Sequence, residues 1–112
     1  MNKEDLEEFI LRLPGVWLEY PFGDGLATYK VNRDGEDPEP KMMALIDENA
    51  KPLRISLKCD PLLARTLREM YDEVQPGINL NKKQWNTIVC TGQVSEEDLK
   101  GLIRLSYQLV TE

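Results

Sequence analysis

Histidine is absent from the 112-residue chain, and cysteine occurs only at Cys59 and Cys90. Without histidine, imidazole-based catalytic triads, histidine-ligated metals and imidazole acid–base chemistry are excluded. Two thiolates alone would leave a zinc shell half filled, so no metal site and no cofactor is predicted. We expect both cysteines to be free thiols in a reducing compartment, where they pack as small apolar side chains.

Long hydrophobic runs are also missing, since the apolar stretches fall far short of the roughly 20 residues that cross a bilayer. The N-terminal segment is interrupted by the acids Glu4, Asp5, Glu7 and Glu8, which is unlike a secretory signal peptide. The sequence therefore predicts a cytoplasmic protein with no membrane contact. The length fits one domain over residues 1–112, which we expect to be a monomer.

Bases are outnumbered by acids, 14 against 20, which gives a net charge of −6. A chain with this balance does not coat nucleic acid by bulk charge. The charge is unevenly distributed, because residues 1–50 hold 12 acids and 5 bases whereas residues 51–92 hold 7 bases and 4 acids. Contact with an anion is therefore expected mainly from the second segment.

Hydrophobic periodicity predicts helices over residues 3–13, 61–71 and 96–110. Strands are predicted at 26–32, 41–47, 53–59 and 85–91, with a further short strand at 16–20 and a short extended stretch before Leu80, and a polar loop is predicted at 33–40. Short connections favour an antiparallel sheet. The predicted class is α+β, a two-layer domain with helices on one face of the sheet and the order α-β3-α-β2-α.

One face of this sheet is predicted to carry bases. Residues 53–59 alternate between apolar and polar side chains, which is typical of a strand with one face on the core. If the apolar set packs on the helices, Arg54 and Lys58 point away from them. The same alternation in 26–32 places Lys30 on that outer face.

The turn before the last strand adds further bases, a tryptophan and an asparagine to the predicted site. The bases would neutralise phosphates, and the indole would stack on a nucleic-acid base or cover a sugar. The alternative is an ordinary solvated sheet face with a tryptophan that anchors the core. The candidate anion site comprises Lys30, Arg54, Lys58, Lys82, Lys83, Trp85 and Asn86.

The sequence contains none of the common catalytic motifs considered below. The glycines of residues 23–25 lack the strand–loop–helix context of a phosphate loop, and no Gly-x-Ser-x-Gly element occurs. Ser56 and Ser106 have no histidine base, and both cysteines occupy apolar strand positions. We therefore expect no catalytic residues and a protein that is not an enzyme.

Several stretches, in order along nearly the whole chain, resemble the MmcQ/YjbR-like family. The most specific parts are LKCDP at 57–61 and NKKQWNT at 81–87. The resemblance implies a small bacterial cytosolic protein with a fold similar to frataxin (CyaY-like) and secretion-chaperone shapes, and it implies DNA binding. The family's recurring polar and aromatic residues fall on Tyr20, Phe22, Lys30, Lys41, Lys58, Asn81, Lys82, Trp85 and Asn86.

The leading hypothesis is a non-enzymatic binding module whose open sheet face contacts DNA. The alternative is a protein-interaction adaptor that presents the same face, or the acidic first helix, to a protein partner. A third hypothesis, an enzyme acting on a small anionic substrate, predicts a concave pocket with a desolvated ionisable group, and a flat open sheet would count against it.

Overall fold

A computed structural model describes residues 1–32, 39–77 and 80–112, which form three helices and one antiparallel sheet. The sheet order is β1-β2-β3-β4-β6-β5, so the α+β class is confirmed. In chain order the elements are α1 (Lys3–Leu11), β1 (Val16–Glu19), β2 (Leu26–Val31), β3 (Lys41–Asp47), β4 (Arg54–Lys58), α2 (Pro61–Met70), β5 (Val74–Pro76), β6 (Trp85–Val89) and α3 (Glu96–Thr111).

Four strands precede α2, where the predicted order has three. The additional strand is β1, which confirms the short strand predicted at 16–20 that this order does not count, and Leu18 of β1 pairs with Tyr29 of β2. The extended segment before Leu80 pairs with β6 only over Val74–Pro76. The predicted loop at 33–40 falls largely on residues 33–38, which lie outside the described residues.

Each helix begins at a side-chain cap that satisfies free backbone amides. Asn2 and Asp5 form a reciprocal capping box at α1. Asp60 caps α2 ahead of Pro61, and Ser95 caps α3. Among the described residues, no helix is both long and apolar enough to span a membrane.

The three helices all pack on one face of the sheet. Strand alternation turns Tyr29, Ile55 and Ile88 toward them, into a core shared with Ile10 of α1 and Ile103 of α3. The helix α2 adds buried Ala64 and the partly buried Leu67 to the same layer. Within the described residues the opposite face of the sheet has no helix over it, as the two-layer prediction requires.

Ser106 joins α3 to the middle of the sheet. Its hydroxyl donates to the carbonyl of Met43 at 2.6 Å and accepts from the backbone amide of Lys58 at 3.1 Å. The β3–β4 pairing ends one residue earlier, at Ala44 and Leu57. The hydroxyl therefore bridges two backbone groups that would otherwise form the next hydrogen bond between β3 and β4. It also fixes the position of the end of β4, which carries Lys58.

Candidate anion-binding face

The helix-free face of the sheet carries three of the predicted bases. The register pairs Lys58 with Trp85 across β4 and β6, and it pairs Arg54 with Asp47 across β4 and β3. Lys30 lies on the same face of β2, as the alternation of its strand predicts. Three bases that are far apart in the sequence thus share one surface.

These bases do not form a single cluster. Lys30 and Lys58 lie near one end of the sheet, two strands apart, which corresponds to about 10 Å between their backbones. Lys82 and Lys83 are exposed in the turn that leads into β6 at that same end. Arg54 begins β4 at the other end of the face, about 13 Å along the strand from Lys58. We call Lys30, Lys58, Lys82 and Lys83 the lysine end.

Lys30 is already paired with an acid. Its ammonium lies 3.2 Å from the carboxylate of Glu19, which also accepts a hydrogen bond of 2.8 Å from the indole nitrogen of Trp17. The hydrogen bond from Trp17, followed by that from Lys30, lowers the pKa of Glu19 below its usual range. Lys30 must give up its ion pair with Glu19 to contact a ligand. It therefore contributes less binding free energy than an unpaired lysine would.

Trp85 is buried on the helix-free side of the sheet, so its indole is not the exposed stacking group that the site prediction requires. Its side chain is only 7% exposed. The backbone of Gly77 lies directly against it, since the Gly77 amide donates to the Trp85 carbonyl at 2.8 Å and a Cβ on Gly77 would lie 2.7 Å from the Trp85 Cβ. Contrary to the prediction, the indole offers no open ring face on which a nucleic-acid base could stack.

Asn86 lies on the helix side of the sheet, contrary to its predicted place in the anion site. Its amide nitrogen donates to the carbonyl of Ala64 at 3.1 Å, and its oxygen accepts from Nε of Arg68 at 2.6 Å. The side chain is 2% exposed. Neighbouring residues of a strand face opposite sides, so Trp85 and Asn86 cannot both belong to the open face.

The residues of the NKKQWNT motif mostly build the turn that contains them. The side-chain oxygen of Asn81 accepts from the backbone amide of Lys83 at 3.0 Å, and its carbonyl accepts from the amide of Trp85 at 2.9 Å. The guanidinium of Arg68 donates to the carbonyls of Lys82 and Trp85. Asn81, Lys82, Lys83 and Gln84 are the exposed residues of this motif, and the two lysines are its cationic candidates for ligand contact.

The open face is concave. A cavity of about 430 Å³ lies on it, and Leu45, Ser56 and Thr87 line it as cross-strand neighbours on β3, β4 and β6. The hydroxyl oxygens of Ser56 and Thr87 are 2.8 Å apart. The adjacent row of Leu26, Asp47 and Arg54 also lines this cavity, which we call the open-face pocket.

Two apolar side chains from outside the strands complete the open-face pocket. Phe22 comes from the turn between β1 and β2 and is 62% exposed, and Leu80 comes from the segment before β6. The predicted site did not include this pocket. The signal in the sequence was the strand at 41–47, which is apolar at consecutive positions and so indicates a strand covered on both faces.

The two thiols are free, as predicted, and neither is activated. Burial raises the pKa of Cys59 to about 11, and burial also raises the pKa of the half-buried Cys90. A thiol with a raised pKa is a poor nucleophile at neutral pH. Within the described ranges, no three histidine, cysteine, aspartate or glutamate side chains come close enough to hold a metal ion.

Residues 11–109 match the family model described as YjbR. The chain is 31% identical over 116 residues to the protein YbdF of Escherichia coli O157:H7, covering 100% of this chain and 89% of that protein. It is 33% identical over 95 residues to the protein YjbR of Escherichia coli strain K12, covering 81% of this chain and 80% of that protein. Both relatives are named as uncharacterized proteins.

Two solved structures share the fold. The crystal structure of the Deinococcus radiodurans protein DR2400, with the family-model domain DUF419, superposes with a TM-score of 0.91 at 38% identity and covers 99% of this chain and 79% of that chain. A crystal structure of a Pseudomonas syringae protein gives a TM-score of 0.79 at 21% identity, covering 98% of this chain and 99% of that chain. The second likeness concerns the fold alone.

Proposed function

Because the chain belongs to the YjbR family, and its relatives above carry no assigned activity, we propose from its surface that it is a non-enzymatic module that binds the phosphate backbone of DNA. The lysine end of the open sheet face is the observation that supports this proposal. Lys82 and Lys83 are exposed there, and Lys58 is half-buried beside them. No helix of the described residues covers this surface, so a duplex can approach it.

The proposed contact is electrostatic and tolerant of sequence. With Trp85 buried and Asn86 on the other side of the sheet, the face has no stacking platform from these residues. Lysines bind phosphates as point charges, which positions a duplex without reading its bases. About four such contacts predict a slope of roughly −3 to −4 for log affinity against log salt concentration.

The test is the fluorescence anisotropy of a labelled DNA duplex over a salt series. The double variant Lys58→Glu with Lys82→Glu should abolish binding at low salt, because it replaces two phosphate contacts by two repulsive charges. The matched control is Arg65→Glu with Arg104→Glu, which changes the net charge equally but lies on the exposed helix side. Absence of wild-type binding at low salt, or an equal loss in both double variants, would contradict the proposal.

A protein partner is the second candidate, and a groove on the helix side favours it. Leu63 of α2 and Leu105 and Leu109 of α3 line this groove, with Asp60 and Glu112 among its other lining residues. An apolar floor with acidic groups beside it fits a basic amphipathic helix. Co-purification from cell extract, repeated after nuclease treatment, separates the candidates, since only the DNA proposal predicts loss of the retained material.

We further propose that the protein is cytoplasmic, and its two thiols support this proposal. Cys59 and Cys90 are unpaired, which favours a reducing compartment. Localisation of a fluorescent fusion tests this expectation directly.

A further inference from the structure

We propose that the open-face pocket binds a small amphipathic anion, in which a carboxylate or phosphate head is joined to an apolar or aromatic body. Its volume of about 430 Å³ lies within the range of roughly 300–1,000 Å³ found for small-molecule sites. This inference does not rest on DNA binding. The pocket includes Arg54 at one end of the face, whereas the lysine end lies at the other.

Arg54 provides the subsite for the anionic head. It is exposed, it lines the pocket, and it forms no ion pair within 4 Å with any described residue. A guanidinium binds a carboxylate or phosphate through two parallel hydrogen bonds. The hydroxyl of Ser56, two residues along the same strand face, can contact another oxygen of the head.

The remaining walls suit an apolar body. Leu45 is 6% exposed and contributes to the floor, while Leu26 and Leu80 line the sides. Phe22 leaves 62% of its surface in water at the edge of the cavity. A bound ring would cover Phe22 and gain both apolar burial and aromatic contact.

Asp47 determines which anions fit best. It is the cross-strand partner of Arg54, and one of its carboxylate oxygens accepts from the backbone amide of Asn49 at 3.1 Å. Its charge repels a bare anion and attracts a hydrogen-bond donor on the ligand. The preferred ligand therefore carries a donor group close to its anionic head.

The experiment is a titration of the ¹⁵N-labelled full-length chain, followed by amide chemical shifts. Phenyl phosphate and 3-phenylpropionate are the probes, since they share a ring and distinguish a phosphate head from a carboxylate head. We expect saturable shifts at the amides of Arg54, Ser56 and Thr87. Arg54→Gln should weaken binding by about 10- to 100-fold, the equivalent of one charge-assisted hydrogen-bonded pair.

Two further variants sharpen this test. Asp47→Asn should tighten the binding of both probes, because it removes the repulsion and keeps an oxygen to accept from Asn49. Lys58→Gln is the matched control and should leave probe affinity unchanged, so that a failure of DNA binding does not affect this result. The proposal is overturned if neither probe gives saturable shifts, if folded Arg54→Gln binds as the wild type does, or if inorganic phosphate binds as tightly as phenyl phosphate.

Discussion

Glu73 is a carboxylate that folding removes from water and surrounds with donors. It is 6% exposed and accepts from the backbone amides of Thr91 and Val94 and from the Thr91 hydroxyl. Burial alone would raise its pKa, but these hydrogen bonds, together with one from the Gln93 backbone, bring the pKa below its usual range. The side chain thereby holds the turn between β6 and α3 against the start of β5.

The variant Glu73→Gln should lower the free energy of unfolding by about 1–3 kcal/mol at neutral pH, because its amide group meets a donor where the carboxylate oxygen accepted. The lowered pKa in the folded state means that Glu73 stabilises the protein above its unfolded pKa and that this stability is lost as the pH falls through the folded value. The difference between wild type and variant should therefore shrink below about pH 4.3. Urea titrations at a series of pH values measure it, and a difference independent of pH would contradict the assignment.

The outcome for Trp85 and Asn86 shows what a residue pattern can predict about a site. Alternation indicates which residues share a face, and it groups Arg54 with Lys58 correctly. It does not indicate that the backbone of Gly77 packs against the Cβ and the carbonyl of Trp85, because that contact depends on a segment outside the strands. Adjacent positions such as Trp85 and Asn86 can be separated by parity alone, and the predicted site did not apply this rule to them.

At the scale of elements, Ser106 shows how a helix can complete a sheet. Ser106→Ala would leave the carbonyl of Met43 and the amide of Lys58 without a partner in the protein interior. We expect a loss of about 1–3 kcal/mol in unfolding free energy, together with faster hydrogen exchange at the Lys58 amide. The control is Thr111→Ala, whose hydroxyl donates to the carbonyl of Tyr107 within its own helix. An equal loss of unfolding free energy in the two variants would contradict the bridging role of Ser106.

The boundaries of the helices and strands show which elements local sequence signals can predict. The predicted helix starts at residues 3, 61 and 96 are confirmed, and the caps at Asn2, Asp60 and Ser95 fix them because each satisfies free amides by purely local geometry. The short strand predicted at 16–20 is confirmed as β1, although all four residues of Val16–Glu19 are partly buried and show no clean alternation of burial. Its assignment as an edge strand depends on pairing with β2, which is a tertiary contact.

At the scale of the whole molecule, the sequence was sufficient for the class of fold and for the family. Apolar periodicities and short connections imply two layers, and the ordered resemblance along the chain is confirmed by the YjbR match over residues 11–109. The concavity of the open face was not predictable in the same way. It arises where Phe22 and Leu80, which belong to separate connecting segments, meet the sheet face from outside the strands.

A hydrogen bond between Tyr107 and Pro14 joins the last helix to the segment that follows the first helix. The hydroxyl of Tyr107 donates to the carbonyl of Pro14 at 2.6 Å, which links α3 to the segment between α1 and β1. These elements lie far apart in the sequence, so the bond is a long-range contact that forms only in the folded chain. Tyr107→Phe removes only the hydroxyl and should lower the unfolding free energy by about 1 kcal/mol, or the melting temperature by roughly 4 °C. The control is Tyr20→Phe, whose ring is 42% exposed and whose hydroxyl contacts Glu48 at 3.2 Å near the surface, and calorimetry of both variants should show a clear change only for Tyr107.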